Sequence, residues 1–157
     1  MKILFVCTGN TCRSPLAALY VKKQLENDPR FEIRSAGLAT FGGSRISEAS
    51  AVILRRFGID ATAFRSRQAT RELLRTSDLI VTVTEAHRAH LAQIVPEKIP
   101  VLRLLAGVGG NTADIPDPYG GDQASYDRIF SVMRPALDGL VQYLKGIRQD
   151  ENVARKS

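Results

Sequence analysis

The sequence predicts a single α/β domain, a parallel four-stranded sheet with helices on both faces. Three observations carry this. Short apolar or β-branched runs alternate with segments of helical period along the chain. The first run ends in a Gly and Asn turn that passes directly into a helical pattern. At 157 residues and 44% hydrophobic content the chain fits one compact core.

The elements follow in order. Lys2 to Val6 is a β-branched and aromatic run that stops at Thr8-Gly9-Asn10, and Ser14-Pro15 opens a helix with Ser as cap and Pro at the first helical position. Phe31 to Ser35 reads as a second strand, and Ser47 to Phe57 as a helix closed by Gly58. Asp78 to Val83 is a nearly all-apolar third strand, Thr84 caps a helix through Val95, and Ile99 to Leu104 is the fourth strand. Behind a cap at Asp122, the residues Tyr126, Ile129, Phe130, Met133, Leu137, Leu140, Val141 and Leu144 recur at helical spacing, with a kink expected at Pro135. The domain is placed at residues 1–150, and the polar ENVARKS segment at 151–157 reads as a frayed tail. No internal repeat, low-complexity segment or linker divides the chain. In such a fold, ligands belong at the carboxyl ends of the strands, and the first of those ends is Cys7.

Composition narrows the function. The formal charge is +6, from 22 Lys and Arg against 16 Asp and Glu. The cations Arg45, Arg55, Arg56, Arg65, Arg67, Arg71 and Arg75 are scattered, without the interleaved aromatic residues of a single-strand binding surface, so attraction of small anions is expected and nucleic acid is not. The apolar run before Thr8 is too short for a signal peptide, and no stretch approaches the roughly 18 apolar residues of a membrane span. A cytoplasmic monomer with no membrane partner is expected, and its two cysteines read as thiols rather than a staple. His87 and His90, three apart on one helix, read as ordinary helix residues. With two loop cysteines they offer too few ligands for a metal site, and no cofactor is expected.

The loop Cys7-Thr8-Gly9-Asn10-Thr11-Cys12-Arg13-Ser14 carries the chemistry. Cys7 and Arg13 stand six positions apart across a tight turn. A loop wrapped around a tetrahedral oxyanion can aim successive amides inward as a nest, while the guanidinium returns to hold two oxygens. The same positive field, with the helix end, favours thiolate over thiol at Cys7. Gly9 supplies conformational freedom where backbone approaches ligand, and Asn10 adopts left-handed geometry or ties the loop to itself. Ser14 has two candidate tasks, capping the helix and donating to the sulfur.

CTGNTCRSP resembles the signature of the low-molecular-weight protein tyrosine phosphatases, and Ser35-Ala36-Gly37 and Asp117-Pro118-Tyr119-Gly120 match further segments of that family. The resemblance runs from Lys2 to the final helix. It implies a cysteine-dependent protein phosphatase in which Cys7 attacks phosphorus and the loop from Thr8 to Ser14, with Arg13, binds the phosphoryl oxygens. Asp117 then protonates the leaving group and later accepts a proton from water, and Tyr119 walls the pocket. Asp114 lies close enough in sequence to compete with Asp117. The partners implied are phosphorylated proteins. Two departures from the family pattern stand out: Leu16-Ala17-Ala18 follows the Pro, where many members carry Met-Ala-Glu, and Phe64-Arg65-Ser66-Arg67-Gln68 lacks the His that commonly braces the loop Asn. Cys12 beside Cys7 is expected to resolve an oxidised Cys7 as a disulfide.

Two rivals of another class use a similar loop. An arsenate reductase needs further thiols downstream, and the chain has none after Cys12. A phosphocarrier module would have no need of Asp117. Within the phosphatases, Thr11 faces the leaving group, where the phosphotyrosine branch usually has an aliphatic residue. Threonine there resembles the phosphoarginine branch, since a hydroxyl offers a polar edge to a guanidinium. Phosphoarginine is therefore the expected substrate, with phosphotyrosine the alternative, and Thr11 and Tyr119 are the expected selectors.

Overall fold

The structure, a computed structural model, describes residues 1–103 and 113–156. Four strands form one wholly parallel sheet: β1 (Lys2–Cys7), β2 (Glu32–Gly37), β3 (Leu79–Thr82) and β4 (Val101–Arg103), in the order β2-β1-β3-β4. Register is set by pairs such as Phe5 with Ser35 on one side and Phe5 with Val81 on the other. Every strand connection is a crossover, made by α1 (Arg13–Gln24), α2 (Glu48–Arg56), α3 (Arg71–Arg75) and α4 (Glu85–Ile94), before α5 (Gln123–Lys156) closes the fold. Leu104, the expected end of β4, lies outside the described residues.

The period-two alternation of β1 explains the layers. Ile3, Phe5 and Cys7 join a core with Leu16, Tyr20, Leu54, Met133 and Leu137, on the side of α1, α2 and α5. Leu4 and Val6 face the other way, toward Leu74 of α3, Leu91 of α4 and Val95 just past its end. Tyr20, Phe57 and Phe130 meet edge to face, with centroids 5.2 to 5.5 Å apart, joining α1, the end of α2 and α5. Each such pair contributes about 0.5 to 1.5 kcal/mol beyond its buried area.

The expected caps at Thr84 and Asp122 are present, accepting from the amides of His87 and Ser125, and Ser47, read as the first residue of its helix, caps α2 by accepting from the Ser50 amide. Gly58 follows α2 with φ +71°. Ser14 is different. The helix begins at Arg13 with Cys12 at the cap position and no side-chain cap, so Ser14 and Pro15 lie within the first turn, and the Ser14 hydroxyl is directed elsewhere. The short α3, capped by Thr70, carries no signal in the sequence, because only one of its five residues, Leu74, is buried and no apolar period marks it. The helical backbone of α5 runs on through Pro135 to Lys156, across the segment read as a frayed tail.

The strand order places the switch point beside β1. The chain leaves β1 toward β2, then returns to build β3 and β4 on the other side. The crevice beyond the carboxyl ends of β1 and β3 is where this class of sheet binds ligands.

Candidate active site

The loop after β1 wraps a pocket of about 200 Å³, lined by residues 7–13 together with Asp117 and Tyr119. The expected positions from Cys7 through Arg13 therefore converge on one space with Asp117, although Asp117 is 104 positions beyond Arg13, whereas Ser14, also expected to bind the phosphoryl oxygens, is fully buried and is not part of the lining.

The loop is fixed by its own side chains and by β2. Asn10 is fully buried and takes left-handed geometry, φ +55°, a conformation in which Asn costs less than most residues. Gly9 is not among the positive-φ glycines, and a Cβ built on it would meet only Thr11 Oγ1, at 3.8 Å, so the special backbone geometry belongs to Asn10. Asn10 Nδ2 donates to Ser14 Oγ at 2.8 Å and Ser35 Oγ at 2.9 Å, and its Oδ1 accepts from the Arg67 amide at 3.0 Å. The brace that the family pattern assigns to a His is thus supplied by a serine and a backbone amide. Gly37 has a different reason. A Cβ there would stand 2.7 Å from Thr8 O and 3.1 Å from Asn10 N, so the loop can lie against β2 only over a glycine.

Cys7 is buried at the floor of the pocket. Its sulfur receives the Asn10 amide at 3.3 Å and lies 3.0 Å from Ser14 Oγ. Because Ser14 Oγ already accepts from Asn10 Nδ2, its own proton is free to donate, and the sulfur is the nearer acceptor than Ala36 O at 3.5 Å. Of the two tasks considered for Ser14, this geometry leaves the second. Two directed donors thus converge on one sulfur.

Arg13 is buried, with Nη1 donating to Ile115 O at 3.0 Å and Nη2 paired to Asp117 Oδ2 at 3.4 Å. Among the described residues its Nε has no hydrogen-bond partner. The Nε and Nη2 edge is the face that accommodates two oxygens of a tetrahedral anion. Asp117 is exposed, and its Oδ1 accepts from the Tyr119 amide at 3.1 Å, the tight turn that places both beside the pocket. Asp114 is committed elsewhere: its Oδ1 accepts from the Glu85 amide at 2.7 Å and pairs with Arg103. Thr11 lines the pocket while its carbonyl accepts from the Ser47 amide at 2.8 Å. The Cys12 sulfur lies 3.2 Å from Tyr126 Oη. Burial, with that thiol contact, pushes the Tyr126 phenol up to about 12.

His87 departs from its reading as an ordinary helix residue. It is half-buried in the first turn of α4, and its Nε2 lies 2.9 Å from Thr8 Oγ1 in the pocket wall. Burial first, and then the charge of Arg13, hold its imidazole below the usual histidine value. The sequence carried no signal for this contact beyond the Thr84 cap, which sets where the first turn of α4 falls. His90 is exposed on the same helix. Among the described residues no group of three or more His, Cys, Asp or Glu could hold a metal ion, and no helix is long and apolar enough to cross a membrane.

Residues 2–152 match the family model described as low molecular weight phosphotyrosine protein phosphatase. A protein-arginine-phosphatase of Geobacillus stearothermophilus is 37% identical over 146 residues, covering 92% of this chain and 96% of the relative. The low molecular weight protein-tyrosine-phosphatase Ptp of Acinetobacter johnsonii is also 37% identical, over 126 residues, covering 80% and 84%. The solved arginine phosphatase of Geobacillus stearothermophilus superposes with a TM-score of 0.82 at 32% identity, covering 95% of this chain and 96% of that one.

Proposed function

The chain belongs to the low molecular weight phosphotyrosine protein phosphatase family and is a cysteine-dependent phosphatase, and we propose that it removes phosphoryl groups from phosphoarginine in proteins, with Cys7, Arg13 and Asp117 carrying the chemistry. In this reading the Cys7 thiolate attacks phosphorus in line with the leaving nitrogen, forming an S–P bond as the N–P bond breaks. The Arg13 Nε and Nη2 edge binds two phosphoryl oxygens, displacing Asp117 from Nη2. Asp117, released at the mouth of the pocket, gives its proton to the departing guanidine. It then takes a proton from the water that attacks the phosphocysteine, so that inorganic phosphate leaves and the thiolate returns. The Ser14 hydroxyl stabilises that thiolate as it departs from phosphorus.

The observation that carries the phosphoarginine reading is Thr11, which lines the pocket at a loop position that, by the family resemblance, faces the leaving group. A hydroxyl there offers a guanidinium an acceptor, and Asp117, which lines the same pocket, offers another. A specific observation also supports phosphotyrosine: Tyr119 is 82% exposed beside the same pocket and could stack against an aryl leaving group. Parallel hydrolysis of matched phosphoarginine and phosphotyrosine peptides, followed by phosphate release, decides between them. A higher kcat/KM for the phosphoarginine peptide is expected, with no turnover of either by Cys7→Ser. Preference for the tyrosine peptide overturns the substrate assignment, and full activity of Cys7→Ser overturns the mechanism.

A further inference from the structure

Two buried side-chain nitrogens lack a hydrogen-bond partner among the described residues, Arg13 Nε and His87 Nδ1. Both lie at the switch-point crevice. Arg13 follows β1, and His87 follows β3 in the first turn of α4. The unpaired Arg13 nitrogen is accounted for by the phosphoryl group it awaits. The phosphoryl chemistry described above makes no use of His87.

The imidazole contacts the site through one atom, Nε2, at 2.9 Å from Thr8 Oγ1. Which of the two groups donates follows from the other ring nitrogen. Among the described residues Nδ1 is buried with no hydrogen-bond partner in either role, and an orphaned buried N–H is rarer in folded proteins than an under-used acceptor lone pair, which favours the proton on the nitrogen that faces Thr8. The charged groups around the ring are Arg13 from α1, Asp114 and Asp117 from the segment after β4, and His90 from α4 itself. Burial and the Arg13 charge disfavour a second proton on the ring. The neutral ring therefore carries its single proton on Nε2 and leaves a bare lone pair at Nδ1. Thr8 Oγ1 then accepts, and its own proton has to point elsewhere. Thr8 is exposed on the pocket wall.

We propose that His87 is a positioning residue of the phosphoryl site, donating from Nε2 to Thr8 Oγ1 and so turning the Thr8 hydroxyl proton toward an oxygen of the bound phosphoryl group. The inference rests on the phosphatase reading and adds a side-chain donor to the amides of the loop. Without His87, the Thr8 hydroxyl rotates freely and is left to water. No change in the bonds made or broken is involved, so the effect is on binding and orientation of phosphate.

The test is a double-mutant cycle with rescue. His87→Ala, Thr8→Val, the double variant and His87→Gln are compared by kcat/KM on a small aryl phosphate, by inhibition with inorganic phosphate, and by melting temperature. The amide nitrogen of Gln can reach the place of imidazole Nε2, whereas Ala cannot. His87→Ala and Thr8→Val should each lower kcat/KM roughly three- to tenfold, the worth of one directed hydrogen bond. Phosphate inhibition should weaken in parallel. The double variant should lose no more than the worse single one, and His87→Gln should recover most of the activity. Losses that multiply in the double variant, wild-type activity in His87→Ala, or no advantage of Gln over Ala each overturn the role of His87. Turnover by the wild type alongside indifferent variants removes His87 alone, whereas a wild type without turnover removes the phosphatase reading with it.

Discussion

Replacing Gly37 by alanine tests how tightly the anion loop is bound to the sheet. The added Cβ would stand 2.7 Å from Thr8 O and 3.1 Å from both Asn10 N and Asn10 Cβ, against an ordinary contact of 3.4 Å or more. Neither side can give easily. Thr8 O already accepts from the Ala39 amide at 3.0 Å, Cys7 O accepts from the Leu38 amide at 3.0 Å, and the Gly37 amide donates to Arg67 O at 2.9 Å. The loop must therefore move by several tenths of an ångström, a local overpacking that costs about 1 to 3 kcal/mol. For a chain of this length that lowers the melting temperature by about 2 to 12 °C. Activity should suffer more than stability. The displaced atoms belong to Thr8 and Asn10, which set the sulfur and the amides around it, and misplacement on the scale of 1 Å can cost about a hundredfold. Gly37→Ala should thus keep a cooperative unfolding transition while kcat/KM on an aryl phosphate falls by roughly ten- to a hundredfold. Unaltered melting and unaltered turnover would show that the loop is not positioned through this contact.

Asp117→Asn should slow hydrolysis most for poor leaving groups and least for a good one such as a nitrophenolate, because only the former needs a proton; an equal loss for all leaving groups points to binding instead. Thr11→Ile should move selectivity from phosphoarginine toward phosphotyrosine. Losing a polar partner costs about 1 to 3 kcal/mol and an added methylene against an aryl ring contributes about 0.8 kcal/mol, so the ratio of kcat/KM values shifts roughly ten- to several hundredfold; an unchanged ratio removes Thr11 as selector. Cys12→Ser should make inactivation by peroxide less reversible by thiols, since the resolving thiol is gone. Complete recovery of that variant would leave Cys12 as no more than the partner of Tyr126.

What the sequence disclosed, and what it withheld, divides by the range of the interactions. The strands at Lys2–Cys7 and Leu79–Thr82 announce themselves by local apolar runs, and the caps at Thr84 and Asp122 by a single residue before a periodic segment. The loop from Cys7 to Ser14 is equally local, since its chemistry follows from spacing within eight residues. Ser14 was misplaced as a cap because Ser-Pro is a valid local signal. A tertiary contact won instead, as Asn10 donates to the hydroxyl and Cys7 lies 3.0 Å away. Asn10 shows the same limit at longer range: its brace comes from Ser35 and Arg67, 25 and 57 positions away, and neither is the expected His. His87 is the extreme case, 79 positions from the Thr8 it meets. Nothing in the residues around it distinguishes it from His90, three positions on. Only the strand order, which brings the loop after β1 beside the helix after β3, makes one of them a wall of the site and leaves the other in solvent.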